Sequence, residues 1–333
     1  LLWELCLTDE KMRSSLAEGK IAVVPVDSLM VDAEENTIAS GSTVGDYITL
    51  LKPGVMLLVV FTGFVGMFLA PGNMHPLLQV ITVLCIAIGS GAGGAINMWF
   101  DRDIDQHMLR TADRPIPAGR VAADDALVYG LFLSVASISM LGLAVNWLAA
   151  SYLAGAIAFY VFIYTVWLKR RTPQNIVIGG AAGSFPPVIG WVAVTGEASV
   201  DAWLLFTIIF LWTPPHFWAL ALYRNSDYTR VGVPMLPVVA GKPATKKHMF
   251  VYTLVLLPTT LLPCATGLSG WFYAVCALAL TGEFCRHAWK VLHSNDDAKA
   301  RAMFGYSILY LFAVFLALVL DKVIDRFDLF ALL

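Results

Sequence analysis

The segment Asn97-Met-Trp-Phe-Asp101-Arg-Asp103-Ile-Asp105 sets an amide and two carboxylates at i, i+4 and i+8. On a helix each four-residue step turns a side chain by about 40° and lifts it by about 6 Å, so Asn97, Asp101 and Asp105 share a face and Asp103 points away. Such a face is unfavourable unaided. Carboxylates at the C-terminal end of a helix meet the negative end of its macrodipole, and like charges four residues apart repel. A divalent cation offsets both penalties, and two carboxylates with an amide oxygen are hard donors suited to Mg²⁺ shared with phosphate oxygens. The plainer alternative is a solvated loop with ion pairs to Arg102 and Arg110.

A second acidic position follows further along, in Tyr223-Arg224-Asn225-Ser226-Asp227-Tyr228. Val231 stands four residues after Asp227, so this is half of a site. Asp227 could cross to the first cluster and complete a metal shell, or pair with Arg224 or Arg230. An anionic phosphate also needs cations, and Lys52, Arg110, Arg114, Lys169, Arg170 and Arg224 all border the same apolar stretches. His216, in Trp212-Thr-Pro-Pro-His216-Phe-Trp218, sits inside an apolar stretch just after an expected Pro-Pro helix break. There it is aimed at a cavity or held as a hydrogen-bonded structural histidine.

The elements that carry these residues are membrane spans. Of 333 residues, 58% are hydrophobic and 14% charged, and mean hydropathy is +0.72. Soluble domains carry about 25% charged residues, and so apolar a chain could not give them a polar surface. Disorder is excluded by the same apolarity. With 22 basic and 24 acidic side chains there is no basic excess, which argues against nucleic acid as a partner. Stretches of about 20 apolar residues fall at 53–71, 77–98, 125–145, 147–167, 174–195, 201–222, 248–267, 270–289 and 303–320. The expected fold is all-α, with nine transmembrane helices around a central cavity and tight hairpins near Asn146 and Gly267–Gly270.

Of the 22 Lys and Arg, 20 fall at the N-terminal end or in and beside alternate connections; only Lys322 and Arg326 lie beyond the ninth span. The positive-inside rule puts the charged connections in the cytoplasm, or on the matrix side of an organelle. Residues 1–45 read as a mixed-charge, disordered cytoplasmic tail, and 46–333 as the membrane domain. The lead is too acidic for a transit peptide, which favours a bacterial inner membrane over a mitochondrial one. The five cysteines show no C-x-x-C pattern and read as reduced, small hydrophobes.

Asn97-x-x-x-Asp101-x-x-x-Asp105, with Arg110-Thr and Arg114-Pro, resembles the first motif of the UbiA-type membrane prenyltransferases. The other segments resemble the heme-farnesylating (heme O synthase) branch of that family. They are Lys52-Pro53, Tyr164-Thr-Val-Trp-Leu-Lys169-Arg170-Arg-Thr-Pro-Gln-Asn175, the stretch around His216, and Asp227-Tyr-x-x-x-Gly232-Val-Pro-Met-Leu-Pro237. Two places depart from relatives: Val231 replaces the last acid of the second motif, and Gly54 stands where an Arg often follows Lys-Pro. The resemblance implies Mg²⁺ held by Asn97, Asp101, Asp105 and Asp227. It implies diphosphate held by Lys52, Arg110, Arg114, Lys169, Arg170 or Arg224, and heme contacted by His216. The implied reaction moves a farnesyl group from farnesyl diphosphate to the 2-vinyl group of heme b, and water addition then gives heme O. A downstream heme A synthase is an implied partner beside the lipid bilayer. A prenyltransferase with an aromatic quinone precursor as acceptor is the alternative, and a transporter lined by the same acids a more distant one.

Overall fold

The computed structural model describes residues 41–326. The expected tail lies outside the described residues except for 41–45, of which Val44 and Gly45 already belong to a helix. Every regular element among the described residues is a helix. In chain order they are α1 (Val44–Leu50), α2 (Pro53–Leu69), α3 (Pro76–Phe100), α4 (Arg102–Asp105), α5 (Ala123–Ala144) and α6 (Trp147–Ala158), which continues as a π-helix over Phe159–Leu168. Then come α7 (Asn175–Ser184), α8 (Pro186–Thr195), α9 (Val200–Tyr223), α10 (Asn225–Arg230), α11 (Leu236–Val239), α12 (Gly241–Thr259), α13 (Leu262–Ala265), α14 (Trp271–Leu292) and α15 (Asp297–Arg326).

Among the described residues seven helical units are long and apolar enough to cross a membrane by themselves. The bent pair α1 and α2, which turns by 55° at its break, makes an eighth. The remaining expected span is α14, 22 residues long, whose second half carries Glu283, Arg286 and Lys290 and is the less apolar for it. The seventh span starts at Gly241, earlier than its apolar stretch, because the polar segment Lys242–His248 is helical too. The expected break at Pro214-Pro215 does not occur: α9 runs unbroken through both prolines. Two missing N–H donors are tolerated where packed neighbours hold the rest of the helix in place.

The caps fit the sequence. Thr43 and Asp46 form a reciprocal capping box at the start of α1. Proline opens α2, α3 and α8 with φ already set for a helix. At the α5–α6 hairpin the Asn146 carbonyl oxygen accepts from Ala149 N at 2.7 Å, while its amide donates to Val192 O and Ala193 O of α8 at 3.1 and 3.2 Å. One side chain thus caps a helix and ties the hairpin to its neighbour. At the far hairpin the buried Asp321 of α15 accepts from Gly270 N and Tyr273 N at 2.6 and 3.0 Å, capping α14 from another helix.

Helices α2 and α8 meet backbone to backbone. A Cβ on Gly66 would lie 2.1 Å from Pro187 O, and one on Gly190 would lie 2.1 Å from Gly63 O. Small residues are needed here because dispersion between closely approaching helices is the main cohesive term in lipid. Most of the large buried side chains, among them Leu141, Leu153, Leu205, Phe284, Tyr310 and Phe315, form one main core, and two smaller clusters gather around Leu50 and Met98 and around Met108 and Tyr228. Leu57, Leu131, Phe132, Val135 and Phe162 point outward, as a lipid-facing surface requires. Cys85, Cys264, Cys276 and Cys285 are free thiols.

Candidate active site

Helix α3 ends at Phe100, and Asp101 caps it at φ −88°, ψ 4°. The single turn of α4 follows without loss of phase, since Asp101 N bonds Asn97 O and Asp105 N bonds Asp101 O, both at 2.9 Å. The i, i+4, i+8 face therefore survives the end of α3. Asn97, Asp101 and Asp105 are buried, at 4%, 0% and 2% exposure, while the Asp103 side chain is 57% exposed.

Each of the three meets a cation of its own. Lys52 Nζ donates to Asn97 Oδ1 at 2.7 Å. Lys169 donates to Asp101 Oδ2, and Arg114 to Asp105 Oδ2, through short ion pairs. The Asn97 orientation follows from these partners. An ammonium offers donors only, so the carbonyl oxygen faces Lys52. The amide nitrogen then donates to Asp101 Oδ2 at 2.7 Å and to Thr165 Oγ1 at 3.1 Å, the Thr165 hydroxyl having given its own proton to Tyr160 O.

Two local irregularities position these cations. Lys52 sits at the α1–α2 bend in the left-handed region, φ 55°, ψ 57°, the only non-glycine residue with positive φ among those described. That conformation costs an L-residue roughly 1–2 kcal/mol, and the following Pro53 narrows the choices further. It turns the side chain toward α3, where the ammonium also lies 3.4 Å from the Tyr160 hydroxyl. Lys169 follows the π-helix, where Lys169 N bonds Tyr164 O at 2.9 Å. Long π segments are rare and tend to mark functional places. This one brings Tyr160, Thr165 and Lys169 against Asn97 and Asp101 and stacks Tyr160 on Tyr164, with centroids 5.5 Å apart.

The remaining cations divide. Arg170 forks onto Asp103 with two 2.7 Å bonds, lies over the Phe100 ring at 4.9 Å, and comes within 3.6 Å of Asp101 Oδ1. Burial pushes the Asp103 carboxyl up, but this fork overrides it and holds the acid below its ordinary value. Arg224 reaches Asp227 Oδ2 only at 4.0 Å. Burial raises the Tyr228 phenol, and the Arg110 guanidinium beside it pulls the other way, so the loop after α4 touches α10. Lys52, Lys169, Arg114, Arg170 and Arg224 approach Asn97 and the buried acids Asp101, Asp105 and Asp227 directly, so cations outnumber buried acids here, as suits a polyanion.

No three His, Cys, Asp or Glu side chains among the described residues gather as a ready metal shell. The donor chemistry nevertheless fits a hard cation. Asp101 Oδ1 and Asp227 Oδ2 are buried without a hydrogen bond, as is Asn175 Oδ1, whose amide nitrogen donates to Lys169 O at 3.1 Å. Arg170 and Arg224 approach these two carboxylate oxygens only at 3.6 and 4.0 Å, too long for a hydrogen bond, and a closer cation would satisfy them.

His216 is buried in α9, stacked between Trp212 (centroids 4.3 Å apart) and Phe304 (4.7 Å), and its Nδ1 lies 2.6 Å from Ser307 Oγ. Ser307 O accepts from Trp212 Nε1 at 2.8 Å, so α15 fixes both rings. The sequence reading missed Ser307, Thr165, Tyr160, Asn175 and Tyr228. Ser307 and Tyr160 lie in apolar stretches, where they read as packing. Thr165, Asn175 and Tyr228 lay inside the quoted motifs, where no role was assigned to them.

A helical membrane bundle with a buried carboxylate face and dedicated cations at one mouth is the architecture of an enzyme that handles a charged head on an apolar tail. The family model for the UbiA prenyltransferase family matches residues 59–318, and the chain belongs to this family. It is 55% identical over 305 residues to "Protoheme IX farnesyltransferase 2" of Mesorhizobium japonicum, covering 90% of this chain and 97% of that one. It is 54% identical over 283 residues to the protoheme IX farnesyltransferase of Parvibaculum lavamentivorans, covering 84% and 89%. Among solved structures it is similar to digeranylgeranylglyceryl phosphate synthase, with a TM-score of 0.70, 18% identity and coverage of 83% and 97%. It is also similar to a UbiA homologue from Archaeoglobus fulgidus bound to GPP and Mg²⁺, with a TM-score of 0.62, 16% identity and coverage of 82% and 99%. These two likenesses establish the fold.

Proposed function

We propose that this protein transfers the farnesyl group of farnesyl diphosphate to the 2-vinyl group of heme b, and that water addition then gives heme O. The observation that carries the reading is the pairing of Asn97, Asp101 and Asp105 with Lys52, Lys169 and Arg114 at the mouth of an apolar bundle. The names of relatives at 54–55% identity supply the acceptor.

Asn97, Asp101, Asp105 and Asp227 would hold Mg²⁺, which when bound supplies Lewis-acid neutralisation of the departing diphosphate. Lys52, Arg110, Arg114, Lys169, Arg170 and Arg224 bind and orient the same oxygens. As the allylic C–O bond breaks, its electron pair leaves with the diphosphate, and fixed cations aimed at those oxygens favour the transition state over the ground state. The farnesyl cation is taken by the vinyl group, forming a C–C bond. Water captures the resulting cation next to the porphyrin and gives up a proton.

His216 is the heme contact. Ser307 engages Nδ1, which leaves Nε2 as the ligating nitrogen, and the two stacked rings lock the imidazole's orientation. The charged mouth faces the cytoplasm of a bacterium, and heme O passes on to a heme A synthase. The test is to incubate the purified protein with heme b, farnesyl diphosphate and Mg²⁺ and to measure the mass of the extracted heme. A gain of farnesyl plus water supports the reading. Unaltered heme, with pyrophosphate released only when an aromatic acceptor is supplied, overturns it in favour of a quinone-precursor substrate.

A further inference from the structure

One oxygen of each residue on the Asn97–Asp101–Asp105 face is already held by a cation. Asn97 Oδ1, Asp101 Oδ2 and Asp105 Oδ2 each accept from a different cation, and those cations come from three different elements: Lys52 from the α1–α2 bend, Lys169 from the end of the π-helix and Arg114 from the loop after α4. Asn97 then spends its nitrogen on Asp101 Oδ2 and Thr165, so its only metal-binding atom is the one that Lys52 holds. All three acceptors are buried, so these pairs are little screened by water.

We infer that Lys52, Lys169 and Arg114 latch the Asn97–Asp101–Asp105 face: they occupy Asn97 Oδ1, Asp101 Oδ2 and Asp105 Oδ2 until a diphosphate draws them off, and a divalent metal binds this face tightly only together with that anion. The inference rests on the prenyl diphosphate reading above. The physical reason is a partner exchange. A metal arriving alone must displace ammonium or guanidinium groups that then have no anion to go to inside the bundle. A diphosphate provides several anionic oxygens, so the three cations move from carboxylate to phosphate without becoming unpaired, and the freed oxygens turn to the metal. Metal and diphosphate then raise each other's affinity, as reciprocal coupling requires. The hydrocarbon tail contributes nothing to this coupling, so inorganic pyrophosphate is a sufficient probe.

Equilibrium dialysis of the intact protein in nanodiscs, against Mn²⁺ alone and against Mn²⁺ with inorganic pyrophosphate, measures the metal held above a protein-free control. The wild type is expected to hold Mn²⁺ at least about tenfold more tightly with pyrophosphate, within the range usual for coupled sites. Lys169→Met and, separately, Lys52→Met are expected to bind Mn²⁺ alone more tightly than the wild type, with the pyrophosphate enhancement reduced to roughly twofold. Wild-type Mn²⁺ affinity that is the same with and without pyrophosphate overturns the latch and leaves the prenyl diphosphate reading standing. Failure to bind Mn²⁺ in either condition overturns both. Tighter binding of Mn²⁺ alone by a folded Lys→Met variant is what separates the latch from a plain metal–diphosphate bridge, and variants that fold but bind Mn²⁺ alone no better than the wild type overturn it; melting curves identify the folded variants.

Discussion

Arg170 grips Asp103 through both terminal guanidinium nitrogens at 2.7 Å, on the outer side of the loop whose inner side carries Asp101 and Asp105. Two carboxylates separated by a single residue thus differ in closest partner and in exposure: Asp101 is buried against Lys169, with Arg170 3.6 Å away, and Asp103 is half in water.

That separation predicts unequal mutants. Asp101→Asn and Asp105→Asn should each lower turnover by roughly a hundredfold or more, since losing a charged ligand costs several kcal/mol at the transition state. Asp103→Asn removes an exposed ion pair of small energetic value and should cost less than about fivefold. Steady-state rates on the three purified variants check it, and equal losses would sink the shared-face geometry.

The His216 cluster and the acidic mouth should fail separately. His216→Ala should lower heme retention and leave farnesyl diphosphate affinity nearly intact, while Asp227→Asn should do the reverse. Ser307→Ala keeps the imidazole but frees its Nδ1, so it should shift the bound-heme absorbance more than it lowers heme content. If His216→Ala weakens both ligands and depresses the melting temperature together, the histidine is a packing residue.

The α2–α8 contact should tolerate no side chain. Gly190→Ala would drive a methyl into Gly63 O at 2.1 Å. Overpacking costs typically 1–3 kcal/mol and more where backbone must yield, so a clear drop in Tm and in membrane yield is expected. Gly183→Ala, at a position with open space around it, should be nearly neutral in the same melting assay.

Topology is testable by reporter fusion. A reporter inserted at Gly72, between α2 and α3, should read outside, and one at Gly119, between α4 and α5, should read inside. A reversed pair would place the charged mouth away from the cytoplasm.

Much of this was legible because membrane burial imposes long apolar runs, and helical phase is simple arithmetic. The span near Asn146 broke where the sequence said it would, and Asn97, Asp101 and Asp105 kept one face even though α3 ends between them. What was not legible depends on contacts across the bundle. Nothing local announces that Phe159–Leu168 will take π geometry, that Ser307 will meet His216 from 91 residues away, or which cation will take which acid. The Pro214-Pro215 pair misled for a related reason: intrinsic propensity breaks a lone helix, but packed neighbours keep α9 continuous through both prolines.

The left-handed backbone at Lys52 makes that position a compromise between a comfortable chain and a useful one. Glycine would relax φ 55° at no steric cost, yet it would delete the ammonium that meets Asn97. Lys52→Gly should therefore give a protein whose fold is at least as robust as the wild type and whose chemistry is crippled. Selecting this protein for thermal tolerance alone would be expected to erode its activity at residue 52 first.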